Sequence, residues 1–286
     1  MNYFKLKQYF ISELSSIYEE RELEQVFFLI LEDLFRFSKM DYSLGKHRNV
    51  EQERIDKINT ILKALKTNKP IQHILGFGYC LERKFKVSKD VLIPRQETEE
   101  LIDLILKNHS NAKARVLDIG TGTACIPINL KLENPLFEVS ALDVSQDVLN
   151  IARQNAEKYL VDIDFIHQDI LDKVNWIGFE DDSFDIIVSN PPYVRESEKK
   201  QMDKNVLNFD PSLALFVDDE NPLIFYIAIT KFAAQKLKNG GILYFEINEY
   251  FGQDIVDLVK NNCFEKVELI KDLQGKNRIV YAKKNP

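Results

Sequence analysis

Apolar positions along this chain follow two different periods. Up to about residue 75 they recur at helical spacing, in one set of Leu23, Val26, Phe27, Ile30, Leu31, Leu34 and Phe35 and a second of Ile55, Ile58, Ile61, Leu62 and Leu65. This pattern predicts helices near 2–18, 21–37 and 50–67, forming a small all-helical domain over residues 1–75. That stretch holds one glycine, Gly45, and one proline, Pro70. Its aromatics Phe27, Phe28, Phe35 and Phe37 read as core, with a partner surface as the alternative.

The pattern changes at Pro70. Residues 70–76 read as a connector, and 77–85 and 86–93 as two short strands, so 76–96 is expected to be a linker with a β-hairpin. A helix follows over 97–108, with Pro94 as its entry stop and acidic residues in its first turn. From Ala114 onward strands alternate with helices. Strands are expected near 115–119, 137–142, 163–167, 184–189, 241–247, 264–270 and 278–283, and helices near 124–133, 145–158, 221–238 and 250–261. Such alternation predicts an α/β domain over 97–286, built on a seven-stranded, mostly parallel sheet covered on both faces. Only the short turn 272–277 separates the last two strands, which are expected to pair antiparallel.

Composition narrows the function classes. The chain has 286 residues, a formal net charge of −7, 45% hydrophobic and 29% charged residues, as in a soluble globular protein. An acidic balance argues against a long nucleic-acid footprint. Cys80, Cys125 and Cys263 are scattered, and His47, His73, His109 and His167 form no local ligand pattern, so neither a metal site nor a disulfide framework is expected. The first 20 residues lack the apolar core of a signal peptide, and no stretch approaches the roughly 18 apolar residues that span a bilayer. A cytoplasmic protein with no membrane partner is expected.

The chemistry centres on Phe184-Asp185-Ile186-Ile187-Val188-Ser189-Asn190-Pro191-Pro192-Tyr193. A buried strand ends in a turn that two prolines stiffen, removing two backbone donors and fixing two φ angles. Such a turn lies where an open α/β sheet binds its ligand. The Asn190 side-chain oxygen and a proline carbonyl are both acceptors and could hold the two hydrogens of a planar NH2, while Tyr193 could stack on a flat substrate. The plain alternative is a proline loop that caps a strand.

A second feature is Gly120-Thr121-Gly122-Thr123-Ala124, directly after the strand Arg115-Val116-Leu117-Asp118-Ile119. It fails the dinucleotide fingerprint, because position 125 is Cys, and it lacks the Lys-Ser/Thr ending of a phosphate-cradling loop. Asp143 ends the next strand, about 20 residues past the loop, where a carboxylate can accept from both ribose hydroxyls. Its bland reading is a helix cap, but Ser145 suits that role better. Asp169 ends the third strand, near where an adenine amine would lie, or is a turn residue. Asp118 either orders the loop or contributes through water. A nucleoside site without a phosphate grip suggests S-adenosylmethionine.

With these residues in place the sequence resembles the class I S-adenosylmethionine-dependent methyltransferases, and within them the release-factor glutamine methyltransferases of the HemK/PrmC family. The resemblance rests on Leu92-Ile93-Pro94-Arg95-Gln96-Glu97-Thr98-Glu99, on Asp118-Ile119-Gly120-Thr121-Gly122-Thr123, and on Asn190-Pro191-Pro192-Tyr193. Asn208-Phe209-Asp210-Pro211 with Ala214-Leu215, and Gly240-Gly241 through Glu246-Ile247, extend it from about Pro70 to Lys284. Ala124 stands where the family commonly has glycine, His73 where tyrosine is common, and Ile170 where some relatives carry a bulkier ring beside adenine.

The resemblance implies a Rossmann-like sheet and transfer of a methyl group to one glutamine amide, in the Gly-Gly-Gln loop of class 1 peptide-chain release factors. The products would be N5-methylglutamine and S-adenosylhomocysteine. Asn190, Pro191, Pro192 and Tyr193 would be catalytic; Gly120, Thr121, Gly122, Thr123, Ala124, Asp143, Asp169, Ile170 and Asn190 would hold the cofactor. Family analogy makes the helical domain the release-factor contact, although its 12 Lys+Arg against 11 Asp+Glu give it no strong charge. The main alternative is an adenine-N6 methyltransferase acting on DNA or RNA, whose exocyclic amine the same turn could hold. A binding protein that kept the nucleoside fold without catalysis is a second.

Overall fold

A computed structural model describes residues 1–201, 207 and 209–286. The chain divides into two compact units, Met1–Leu75 and Gly76–Pro286. The first is helical: α1 (Tyr3–Leu14), α2 (Glu20–Phe35), α3 (Lys39–Gly45), α4 (Gln52–Leu65) and α5 (Ile71–Leu75). Its core comes from the 3.6-residue stripes, with Leu6, Phe10 and Leu14 of α1 packed among Leu23, Phe27 and Ile30 of α2 and Ile58, Ile61 and Leu62 of α4. Two short helices escaped the periodicity. The capping box of Ser38 and Asp41 starts α3, whose seven residues are too few to show a stripe. The expected connector at 70–76 contains α5.

The second unit opens with an antiparallel hairpin, β1 (Phe77–Cys80) and β2 (Arg83–Lys86), joined through Leu81 and Glu82, both at positive φ as a type I′ turn requires. The strand expected over 86–93 is not formed beyond Lys86. Asn155, on a later helix, takes the Lys86 backbone on both sides, accepting from its N–H at 2.7 Å and donating to its carbonyl at 3.2 Å. The Ser88 hydroxyl then accepts from Asp90 N, starting a turn. Residues 87–95 are therefore irregular, and they run past the site described below.

Next come α6 (Gln96–Asn108), β3 (Ala114–Ile119), α7 (Cys125–Glu133), β4 (Phe137–Asp143), α8 (Gln146–Tyr159), β5 (Asp164–His167), β6 (Phe184–Ser189), β7 (Val194–Arg195), α9 (Ser212–Leu215) and β8 (Phe216–Val217). The chain closes with α10 (Ile224–Lys236), β9 (Leu237–Glu246), α11 (Gly252–Lys260), β10 (Phe264–Lys271) and β11 (Asn277–Lys284). The seven-stranded sheet has the order β10-β11-β9-β6-β3-β4-β5. Strands β5, β4, β3, β6 and β9 run parallel, and β11 is antiparallel to both neighbours.

Alternate residues of each central strand enter opposite cores. Val116, Ile186 and Val188 face α6, α7 and α8, whereas Leu117, Ile119 and Ile187 face α10 and α11. Because β3 is flanked by β4 on one side and β6 on the other, the strand order reverses there. The crevice outside the carboxyl ends of β3, β4, β5 and β6 is where such a sheet accepts a ligand. Strand β9 begins four residues before its expected start. Gly240 and Gly241 stay in the strand, where the pairing with β6 shifts register between Phe184 and Ile186.

Candidate active site

A pocket with a cavity volume of ≈ 230 Å³ lies at those carboxyl ends. Its walls include Gly120–Thr123, Asp143, Asp169, Ile170 and Asn190–Pro192. The two features that stood 70 residues apart in the sequence thus share one cavity.

The glycine loop leaves β3 at a sharp turn. Gly120 and Gly122 have φ of +77° and +55°, and a Cβ at either would meet no atom within 4 Å. The loop is tied to β4: Gly120 and Thr121 N–H groups donate to the Leu142 carbonyl at 2.8 and 3.1 Å, and Gly122 N–H donates to Asp143 Oδ2 at 3.2 Å. Asp143 Oδ1 accepts from Ser145 N–H at 3.0 Å, while the Ser145 hydroxyl caps α8 through Val148 N–H. Ser145 is the cap of α8, as the sequence predicts, but the Asp143 tie to Gly122 was not foreseen. Burial raises the Asp143 pKa, and three backbone N–H groups oppose the rise.

Ala124 follows in the left-handed region at φ 61°, fully buried, immediately before α7. That conformation strains any residue with a Cβ. Asp118 is fully buried on β3, and neither of its carboxyl oxygens makes a hydrogen bond among the described residues. Burial raises its pKa to about 7, a rise that the nearby Thr121 hydroxyl moderates.

Asp169 lines the pocket, yet its Oδ1 accepts from Leu171 N–H at 2.8 Å, so it also serves the turn. Ile170 is buried beside it on the same wall.

The Asn190 turn is pinned from behind. Ser189 donates to the Ile119 carbonyl at 2.7 Å, joining the ends of β6 and β3. Asn190 Nδ2 donates to Thr98 Oγ1 at 3.3 Å, and Thr98 donates in turn to Glu246 Oε2 at 2.7 Å. Pro191 and Pro192 line the pocket; Tyr193 does not. Its hydroxyl instead donates to Glu246 Oε1 at 3.3 Å, and its carbonyl accepts from Asn248 Nδ2 at 3.2 Å. Glu246 is 1% exposed, and burial raises its pKa to about 7 against the opposing pull of Thr98 and Arg278.

Thr98, Glu246 and Asn248 carried no predicted role. The signal for Glu246 was present, since one acid ends the apolar run Ile242-Leu243-Tyr244-Phe245 and buried carboxylates need partners. Arg95, in the pocket wall, pairs with the buried Asp210 at 2.7 Å. Phe209, Asp210 and Pro211 of the segment quoted for the family resemblance are described; Asn208 lies outside the described residues.

The family model for the PrmC N-terminal domain matches residues 5–76, and that for the methyltransferase small domain matches 96–208. A release factor glutamine methyltransferase of Bacteroides thetaiotaomicron is 41% identical over 278 residues, 97% of this chain and 99% of that protein. Its counterpart in Flavobacterium psychrophilum is 42% identical over 275 residues, 95% of each chain. A solved methyltransferase from Pyrococcus furiosus shares the fold, at a TM-score of 0.52 and 17% identity, over 80% of this chain and 99% of that one. No helix among the described residues is long and apolar enough to cross a membrane. With identity of this order over 97% of the chain, and with a family model matching within each unit, the chain belongs to the release factor glutamine methyltransferase family.

Proposed function

We propose that this protein methylates the side-chain amide nitrogen of the glutamine in the Gly-Gly-Gln loop of class 1 peptide-chain release factors, in the cytoplasm, with S-adenosylmethionine as donor. One observation carries the reading: Asn190, Pro191 and Pro192 form a wall of the same pocket as the glycine loop and Asp143. The residues present fit the donor. Gly120 and Gly122 leave open space where a side chain would intrude, Asp143 offers carboxylate lone pairs to a ribose, and Ile170 offers an apolar face to adenine. When bound, S-adenosylmethionine supplies an electrophilic methyl group.

The protein's own part is positioning. A carboxamide nitrogen is a weak nucleophile because its lone pair is conjugated. The Asn190 oxygen and the Pro191 carbonyl, both acceptors, hold its two hydrogens and favour the tetrahedral nitrogen of the transition state. Pro192 stiffens the turn, and Tyr193 holds it from behind through Glu246. The methylated nitrogen is acidic and sheds its proton late, so no strong base is required.

The test is tritiated-methyl transfer to purified release factor, with and without the loop glutamine. Label on the factor only when the glutamine is present is expected; label on DNA or RNA instead would overturn the reading. Asn190→Ala is expected to lower turnover more than about tenfold, or roughly 1.4 kcal/mol.

A further inference from the structure

The Asn190 carboxamide has two near-isosteric ends, and only one of them suits the proposed reaction. With its oxygen toward the pocket it accepts from a substrate NH2; turned over, it presents NH2 to NH2. We propose that Thr98 and Glu246 are positioning residues that hold the Asn190 carboxamide with its NH2 inward and its oxygen toward the pocket. This deepens the function proposed above and rests on it.

The argument counts protons. Above about pH 7 Glu246 is ionised, and its two oxygens are acceptors only. Thr98 and Tyr193 each carry one hydroxyl proton, and each donates it to one Glu246 oxygen, at 2.7 and 3.3 Å. Once its proton is committed, Thr98 Oγ1 presents only lone pairs to Asn190. The group facing it must be a donor, and Asn190 Nδ2 is the atom there, at 3.3 Å. The reversed amide would set oxygen against oxygen in a site where Thr98 is 3% and Glu246 1% exposed, so no bulk water relieves the contact.

Nothing local accounts for the Thr98 orientation. It lies in the first turn of α6, whose start has no side-chain cap, and its hydroxyl reaches a residue 148 positions along the chain instead of a backbone N–H. The same carboxylate takes the Tyr193 hydroxyl, so both ends of the turn are referred to one buried group.

Thr98→Val keeps the shape and removes the hydroxyl. It is expected to lower kcat for methyl transfer at least about fivefold, the effect of one hydrogen bond, with donor affinity and the KM for release factor within about twofold of wild type. Thr98→Ser is expected to restore kcat to within about twofold. In an Asn190→Ala background, Thr98→Val is expected to have no further effect, because it acts through a side chain already removed. In the free enzyme, exchange of the Asn190 side-chain amide protons followed by 15N NMR should show one of the two protected in wild type and Thr98→Ser, and neither in Thr98→Val. Unchanged kcat in Thr98→Val, a serine variant as impaired as the valine, an additive loss in the double variant, or two equally exchanging protons would overturn the proposal. Wild-type enzyme that transfers no methyl to release factor defeats the reading of function, and the amide exchange still decides the orientation.

Discussion

Glu246 is a carboxyl group sealed at the end of a strand, and its pKa near 7 has a consequence for stability. Burial disfavours the charged form, so the folded protein binds a proton more readily than the unfolded chain between about pH 4.5 and 7. Its contribution to stability is therefore complete below the unfolded pKa and is lost as the pH rises through 7. Glu246→Gln removes this titration. The unfolding free energy of wild type relative to the variant is expected to fall by up to about 3 kcal/mol between pH 4.5 and 7.5, at roughly 1.36 kcal/mol per unit of pKa shift. Urea denaturation of both proteins across that range checks it; a difference that does not change with pH would contradict the burial argument. Asp118 shifts in the same direction, but it is common to both proteins and cancels.

Among the elements, β9 carries two demands. Its far end presents Glu246 to the site, and its start must pass close to β6 at Gly241. A Cβ there would lie 2.9 Å from the Lys238 carbonyl and 3.2 Å from that of Asp185, both backbone atoms that cannot swing aside. Gly241→Ala is expected to destabilise by about 2–3 kcal/mol through overpacking, read as a lower urea midpoint with an unchanged slope. The sequence pattern predicts this strand only from 241. Glycine weakens a strand pattern in sequence, whereas here it permits the close approach that lets the strand begin at Leu237.

On the scale of the whole molecule, every residue of the candidate site belongs to Gly76–Pro286, while the five helices of Met1–Leu75 enclose a core of their own. A donor that binds only the folded second unit stabilises it by about 2.7 kcal/mol at 100 times its Kd. Hydrogen exchange with S-adenosylmethionine is expected to show added protection at Gly120–Thr123, Asp143 and Asn190–Pro192, and none over residues 1–75. Protection centred on the helical unit would move the site.

The sequence by itself determined the alternation of strands and helices, the antiparallel closing pair, the place of the glycine loop and the Asn190 turn at strand ends. Each of these is written in neighbouring residues, as a period of apolar positions, a proline that removes a donor or a glycine that frees φ. Only the tertiary structure decided where β2 stops, because Asn155 takes the Lys86 backbone from 69 residues away. It also turned Tyr193 from the pocket wall to Glu246, and joined Asn190 to Glu246 through Thr98. A hydrogen bond between residues on different strands and helices leaves no periodic trace along the chain, and the orientation of one amide is settled by such bonds alone.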